Sequence, residues 1–152
     1  MSFKYLKQMP TPEEVKRELP LPEKYQKLKK ERDAVISDII TGKDDRFLVI
    51  IGPCSADNED AVCDYVNRLT AVQEKVADRV YIVPRIYTNK PRTTGSGYKG
   101  IASQPDPTKA PDMVEGLIAM RKMHIRAIEE SGFTCADEML YPENWGYVED
   151  LL

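Results

Sequence analysis

Two short stretches of this sequence concentrate side chains that could do chemistry. In Ile51-Gly52-Pro53-Cys54-Ser55 a thiol follows directly on an apolar run. From Pro84 to Thr94 three cations, Arg85, Lys90 and Arg92, stand among the hydroxyls of Tyr87, Thr88, Thr93 and Thr94. An arginine fork grips a carboxylate or phosphate through paired hydrogen bonds, a lysine adds a point charge, and hydroxyls and loop amides complete an oxyanion cage. Gly95, Ser96 and Gly97 then allow a close backbone approach. The alternative for this loop is a solvated basic segment, and for Cys54 a small side chain filling a turn rather than a reactive or metal-binding thiol.

Both stretches need strands to deliver them. Phe47 to Ile51 is a continuous apolar run stopped by Gly52-Pro53, the pattern of a strand covered on both faces in a parallel sheet. Asp57 or Asn58 can cap the helix that follows, with Val62, Tyr65, Val66, Leu69 and Val72 on one face. Val80 to Val83 begins a second strand, and Pro84 near its end removes a ladder hydrogen bond. The long segment from about Tyr87 to Pro111 reads as a functional loop. A second helix runs from about Asp112, with Val114, Leu117, Ile118, Ile125 and Ile128 on one side, and closes at Ser131-Gly132.

Phe133 to Leu140 reads as a third strand, and Pro142 opens a third helix striped by Trp145, Val148 and Leu152. Ahead of these units, residues 1–21, with Pro10, Pro12 and Pro20 and with Pro22 just beyond, read as an irregular arm, and about Pro22 to Thr41 as a helix with Tyr25, Leu28, Val35, Ile36, Ile39 and Ile40 on one face, stopped by Gly42. The chain thus divides into an N-terminal extension, 1–45, and a β/α region, 46–152. Three such units cannot close a parallel barrel, so a part of a larger α/β domain is expected.

Composition narrows the function. At 152 residues, 41% apolar and 31% charged, the chain is of ordinary globular type, and Lys+Arg 22 against Asp+Glu 25 gives a formal charge of -3. No global basic field would draw it to nucleic acid or anionic lipid. No apolar run is long enough to span a bilayer or to serve as a secretion signal, so the cytoplasm is expected. Cys54, Cys63 and Cys135 form no CxxC pair and suit reduced thiols; Cys63 and Cys135, with Met120, Met123 and His124, read as packing residues, His124 alternatively as a surface one.

The runs FLVIIGPCS, PRIYTNKPRTTGSGYKG and RAIEESGFTCADEML, in this order and each beside a strand, resemble the first three β/α units of the 3-deoxy-7-phosphoheptulonate synthases of the short microbial type, over about 47 to 152. The resemblance implies a partial TIM-type (β/α)8 barrel. It also implies condensation of phosphoenolpyruvate with erythrose 4-phosphate, the first step of the shikimate pathway; Pro91-Arg92-Thr93 favours that acceptor over arabinose 5-phosphate, whose synthases carry Ala-Asn-Arg there.

By the same resemblance, Cys54 is one ligand of a divalent metal (iron, manganese, cobalt or zinc). Arg85 and Lys90 hold phosphoenolpyruvate, with Lys90 also a proton donor. Pro91, Arg92 and Thr93 hold erythrose 4-phosphate, and Glu138 supports a water or the phosphoenolpyruvate phosphate. The family's remaining metal ligands do not occur in residues 1–152. The resemblance further implies a homo-oligomer and feedback inhibition by an aromatic amino acid. The alternatives are a related phosphoenolpyruvate-dependent sugar-phosphate synthase and a standalone anion-binding module. Ala56-Asp57-Asn58 in place of Ile-His-Asp, and a Gly-Ser-Gly-Tyr segment one residue longer than in some relatives, depart from the family pattern beside the site.

Overall fold

The computed structural model describes residues 7–90 and 96–152. The expected arm contains a helix, α1 (Pro12–Glu18). Its cause is a capping box: Thr11 Oγ1 accepts the Glu14 N–H at 3.2 Å and the Glu14 carboxylate accepts the Thr11 N–H at 2.8 Å, with Pro12 in the first turn. Val15 and Leu21 enter the same buried cluster as the rest of the chain. Helix α2 (Glu23–Ile40) follows and ends ahead of Gly42 as expected, but it buries no residue fully: Tyr25 and Leu28 lean on the core while Ile40 is exposed.

Strand β1 (Phe47–Ile51), helix α3 (Glu59–Val76) and strand β2 (Val80–Pro84) form a parallel pair with a helical crossover, in register from Phe47 beside Val80 to Ile51 beside Pro84. Asn58 is the cap that starts α3, its Oδ1 accepting the Ala61 N–H at 2.9 Å. Val62 and Val66 face inward and Val72, expected with them, is exposed. Helix α4 (Met113–Ser131) is capped by the Asp112 carboxylate and ends at Gly132, whose left-handed φ of 72° suits a residue without a Cβ. Leu117, Met120, Met123 and Ile128 of α4 form the centre of the core.

The two strands differ in cover. Residues 81–84 of β2 are buried, whereas Phe47, Ile50 and Ile51 of β1 are 71%, 57% and 43% exposed, so the expectation of a strand covered on both faces fails for β1. Among the described residues no other strand pairs with its second edge. The outer edge of β2 is filled by several different groups. The Gln73 amide bridges the Val80 carbonyl (2.8 Å) and the Ile82 N–H (2.6 Å), and Arg32 Nη2 donates to the Ile82 carbonyl (3.0 Å). The segment after α4 supplies the rest: Ala136 N–H donates to the Pro84 carbonyl and accepts from Ile86 N–H through its own carbonyl, both at 2.8 Å.

The expected third strand, Phe133 to Leu140, is therefore a single parallel bridge, Arg85 to Ala136. Pro84 has no N–H to offer where the rung toward Thr134 would fall, and Arg32 takes the Thr134 hydroxyl instead at 3.2 Å. Beyond the bridge, Asp137 Oδ1 accepts the Glu138 N–H at 2.7 Å and turns the backbone out of the ladder. The expected third helix is a 3-10 turn, Pro142–Tyr147, with Trp145 exposed and Val148 and Leu151 buried. Fully buried Arg121 ties these ends together, paired at 2.7 and 2.8 Å with Asp150 and donating to the Leu19 and Tyr147 carbonyls. The architecture is mixed α/β with two parallel strands, as a partial barrel would have.

Candidate active site

The C-terminal ends of β1, β2 and the bridge segment converge. Gly52 makes the convergence possible, since a Cβ there would lie 1.8 Å from the Arg85 carbonyl oxygen. Two residues on, Cys54 is exposed, and its Sγ stands 3.0 Å from Lys90 Nζ, which also donates to the Cys54 carbonyl at 3.1 Å. Arg85, the first residue after β2, sends Nη2 to the Pro53 carbonyl (2.7 Å) and Nη1 to the Glu138 carboxylate. Its guanidinium lies 4.8 Å from the centre of the Tyr87 ring, and Lys90 Nζ lies 6.0 Å from the same ring. Burial, followed by the Glu138 charge, raises the Tyr87 phenol above its ordinary value.

Four residues singled out in the sequence, Cys54, Arg85, Lys90 and Glu138, thus share one rim. Pro91, Arg92 and Thr93, the expected acceptor end, lie outside the described residues. The loop that follows folds back on this rim: Lys90 N–H donates to the Lys99 carbonyl and Ala102 N–H to the Thr88 carbonyl, each at 3.1 Å. Tyr98, which donates to the Ala56 carbonyl at 3.1 Å, has its phenol pushed up to about 12 by burial.

The other two thiols are packing residues, as expected. Burial pushes Cys63 up to about 11 and Cys135 up to about 12, so neither is a thiolate near neutrality. His124 is buried, not on the surface, with Nε2 3.3 Å from Asp137 Oδ2. Among the described residues no three His, Cys, Asp or Glu side chains are grouped to hold a metal ion. Cys54 is a suitable soft donor, but one thiol does not by itself make a metal site.

Sequence reasoning missed Asp137. Its side chain is fully buried; Oδ1 accepts the Thr88 N–H at 3.1 Å and Oδ2 accepts the Thr88 hydroxyl. An acidic residue inside an apolar segment was the available signal, because a carboxylate is seldom buried without partners. A cleft of about 380 Å³ between residues 8–18 and α4, lined in part by Met9, Val15, Val114 and Ile118, contains none of the candidate residues.

A thiol and cations gathered at the C-terminal ends of parallel strands define a β/α protein of the class that places its working site at that end of the sheet. The chain belongs to the DAHP synthetase I family, whose model matches residues 18–152. It is 36% identical over 141 residues to the Tyr-sensitive phospho-2-dehydro-3-deoxyheptonate aldolase of Salmonella typhimurium, an alignment covering 93% of this chain and 39% of that protein. To the phenylalanine-inhibited enzyme of Saccharomyces cerevisiae it is 41% identical over 111 residues, 73% of this chain and 29% of that one. The structure of phospho-2-dehydro-3-deoxyheptonate aldolase from Francisella tularensis SCHU S4 superposes with a TM-score of 0.88 at 28% identity, over 99% of this chain and 44% of that chain. The chain therefore spans less than half the length of each of the relatives described. No helix among the described residues is long and apolar enough to cross a membrane.

Proposed function

We propose that residues 1–152 form the first part of the reaction surface of a 3-deoxy-7-phosphoheptulonate synthase, which joins phosphoenolpyruvate to erythrose 4-phosphate. The observation that carries this reading is the convergence of Cys54, Lys90, Arg85 and Glu138 on one rim, in a chain of that family. Arg85 and Lys90 compensate the carboxylate and phosphate of phosphoenolpyruvate, and Arg92 and Thr93, on the loop shaped by Pro91, hold the phosphate of erythrose 4-phosphate. Glu138 balances Arg85 while the site is empty of substrate and orients a water or the phosphoenolpyruvate phosphate once it is filled.

In the reaction the methylene carbon of phosphoenolpyruvate bonds to the aldehyde carbon, and the aldehyde oxygen takes a proton from Lys90 Nζ to become a hydroxyl. Water adds to the carbon bearing the phosphate, gives up a proton, and inorganic phosphate leaves. The residues named act by positioning two anions and offsetting their charge. Cys54 contributes one ligand to a divalent metal, with iron, manganese, cobalt and zinc all compatible with a single thiolate. The N-terminal stretch, 1–45, would serve oligomer or regulatory contacts, with an aromatic amino acid as inhibitor, in keeping with relatives named Tyr-sensitive and phenylalanine-inhibited. Such biosynthetic work fits a cytoplasmic setting.

The test is erythrose 4-phosphate-dependent consumption of phosphoenolpyruvate by the longest expressed form of the protein. Lys90→Met is expected to lower kcat by about two to four orders of magnitude, and Cys54→Ala to match the loss caused by a chelator. Unchanged turnover in Lys90→Met would end this reading. A polypeptide limited to residues 1–152 is expected to turn over neither substrate, because among the described residues no three potential ligands are grouped to hold a metal and only two strands pair into a sheet.

A further inference from the structure

We infer that Asp137 is a positioning residue that, through Thr88, sets where Lys90 stands against Cys54, and that the same carboxylate fixes Glu138 against Arg85. The inference rests on the reading of Lys90 and Arg85 as substrate-holding groups and adds to it a residue that touches neither substrate nor the reacting atoms.

Three segments meet at this carboxylate. From the loop after β2, Thr88 gives its N–H to Oδ1 at 3.1 Å and its hydroxyl to Oδ2. From the bridge segment, Glu138 gives its N–H to Oδ1 at 2.7 Å. From α4, His124 presents Nε2 to Oδ2 at 3.3 Å, and both of these side chains are fully buried. The network continues behind Lys90: Asn89 Nδ2 donates to Thr88 Oγ1 at 3.2 Å, and Asn144 Nδ2 to Asn89 Oδ1 at 3.3 Å. Thr88 and Asn89 are completely buried and immediately precede Lys90, which is partly exposed at the rim.

The geometry couples two pairs that lie on different strands. Lys90 is two residues beyond the Thr88 amide that Asp137 holds, and Glu138 is the residue whose own amide it holds. A buried anion accepting several hydrogen bonds is costly to disturb, so the loop and the bridge segment are held in one relative position. A network of this kind is more than the core needs for stability alone, because apolar residues of similar volume would fill the same space without it. His124 Nδ1 has no hydrogen-bond partner, so α4 presents a polar ring to the carboxylate at the expense of one unsatisfied buried atom.

The test reads the Lys90–Cys54 contact directly, without substrate. Lys90 Nζ donates to Cys54 Sγ at 3.0 Å, so the rate at which iodoacetamide alkylates Cys54, with chelator present, reports whether that contact is kept. Cys63 and Cys135 are buried and do not compete. Lys90→Met is expected to slow Cys54 alkylation by about three- to tenfold. Asp137→Ala and Thr88→Val are each expected to slow it by about threefold or more, and to add nothing when combined with Lys90→Met.

Thr88→Val removes only the hydroxyl and decides the matter if Asp137→Ala melts below the assay temperature. A Thr88→Val rate equal to that of the unsubstituted protein, or slowing that multiplies fully with Lys90→Met, would overturn the inference. In the unsubstituted protein the Thr88 and Glu138 amides should exchange with solvent as slowly as those of β2, and fast exchange of either would overturn it without any variant. Because no substrate takes part, failure of phosphoenolpyruvate to bind would defeat the proposed function and leave these results standing.

Discussion

Strands β1 and β2 are equally short and almost equally apolar, FLVII beside VYIVP, yet one is buried and the other open. The difference lies in what each edge and face meets. β2 has β1 on one edge and Gln73, Arg32 and Ala136 on the other, with α3 alongside. β1 has one strand partner and leaves Phe47, Ile50 and Ile51 largely in solvent. Apolar composition records the burial a strand is built for, while the observed burial depends on which neighbours are present.

The largest effect that could break this contrast is expected at Ile82, which is 4% exposed. Ile82→Ala should cost about 2–5 kcal/mol, the range for truncating a buried isoleucine and leaving a cavity. Denaturant unfolding followed by far-ultraviolet circular dichroism measures it. A cost below about 0.5 kcal/mol, the size of an ordinary surface change, would mean that β2 is not the buried strand.

How much was legible in the sequence follows the same division. Local signals came through: the Asn58 cap, the helix start near Asp112, the Gly132 stop, both apolar runs and the order of strand and helix are all present. The rim residues Cys54, Arg85 and Lys90 were also readable, because a strand end places its next few residues wherever the strand points, whereas Glu138 came only from the family resemblance. What could not be read depends on distant partners. The loss of the third strand turns on Arg32, which reaches Ile82 and Thr134 across a long sequence separation, and the exposure of β1 on which neighbours lie along its second edge. The α1 capping box, by contrast, is written in Thr11-Pro12-Glu13-Glu14, where the neighbouring prolines point to an irregular arm instead.

A middle-sized effect is expected at Gln73, which stands in for a neighbouring strand along β2. Gln73→Leu keeps the approximate volume but strands the Ile82 N–H and the Val80 carbonyl without partners. The expected cost is about 1–3 kcal/mol, that of leaving buried polar groups unsatisfied. Amide exchange at Ile82 should accelerate more than at Tyr81, whose N–H faces β1 in the parallel ladder. Equal acceleration at both would show general loosening rather than loss of an edge partner.

The smallest effect is expected on the open strand. Ile50→Ala in residues 1–152 should change stability by no more than about 0.5–1 kcal/mol, since its side chain is more than half exposed and its removal leaves no cavity. The same substitution becomes informative in a longer form of the protein. If further β/α units cover the second edge and outer face of β1, its cost should rise toward the roughly 2–5 kcal/mol of a buried position, matching Ile82→Ala. The difference between the two measurements at Ile50 therefore reports how much of β1 is covered in the whole protein. A small cost in both forms would mean that β1 remains exposed even there, and that the closed parallel barrel implied by the family is not the arrangement this strand occupies.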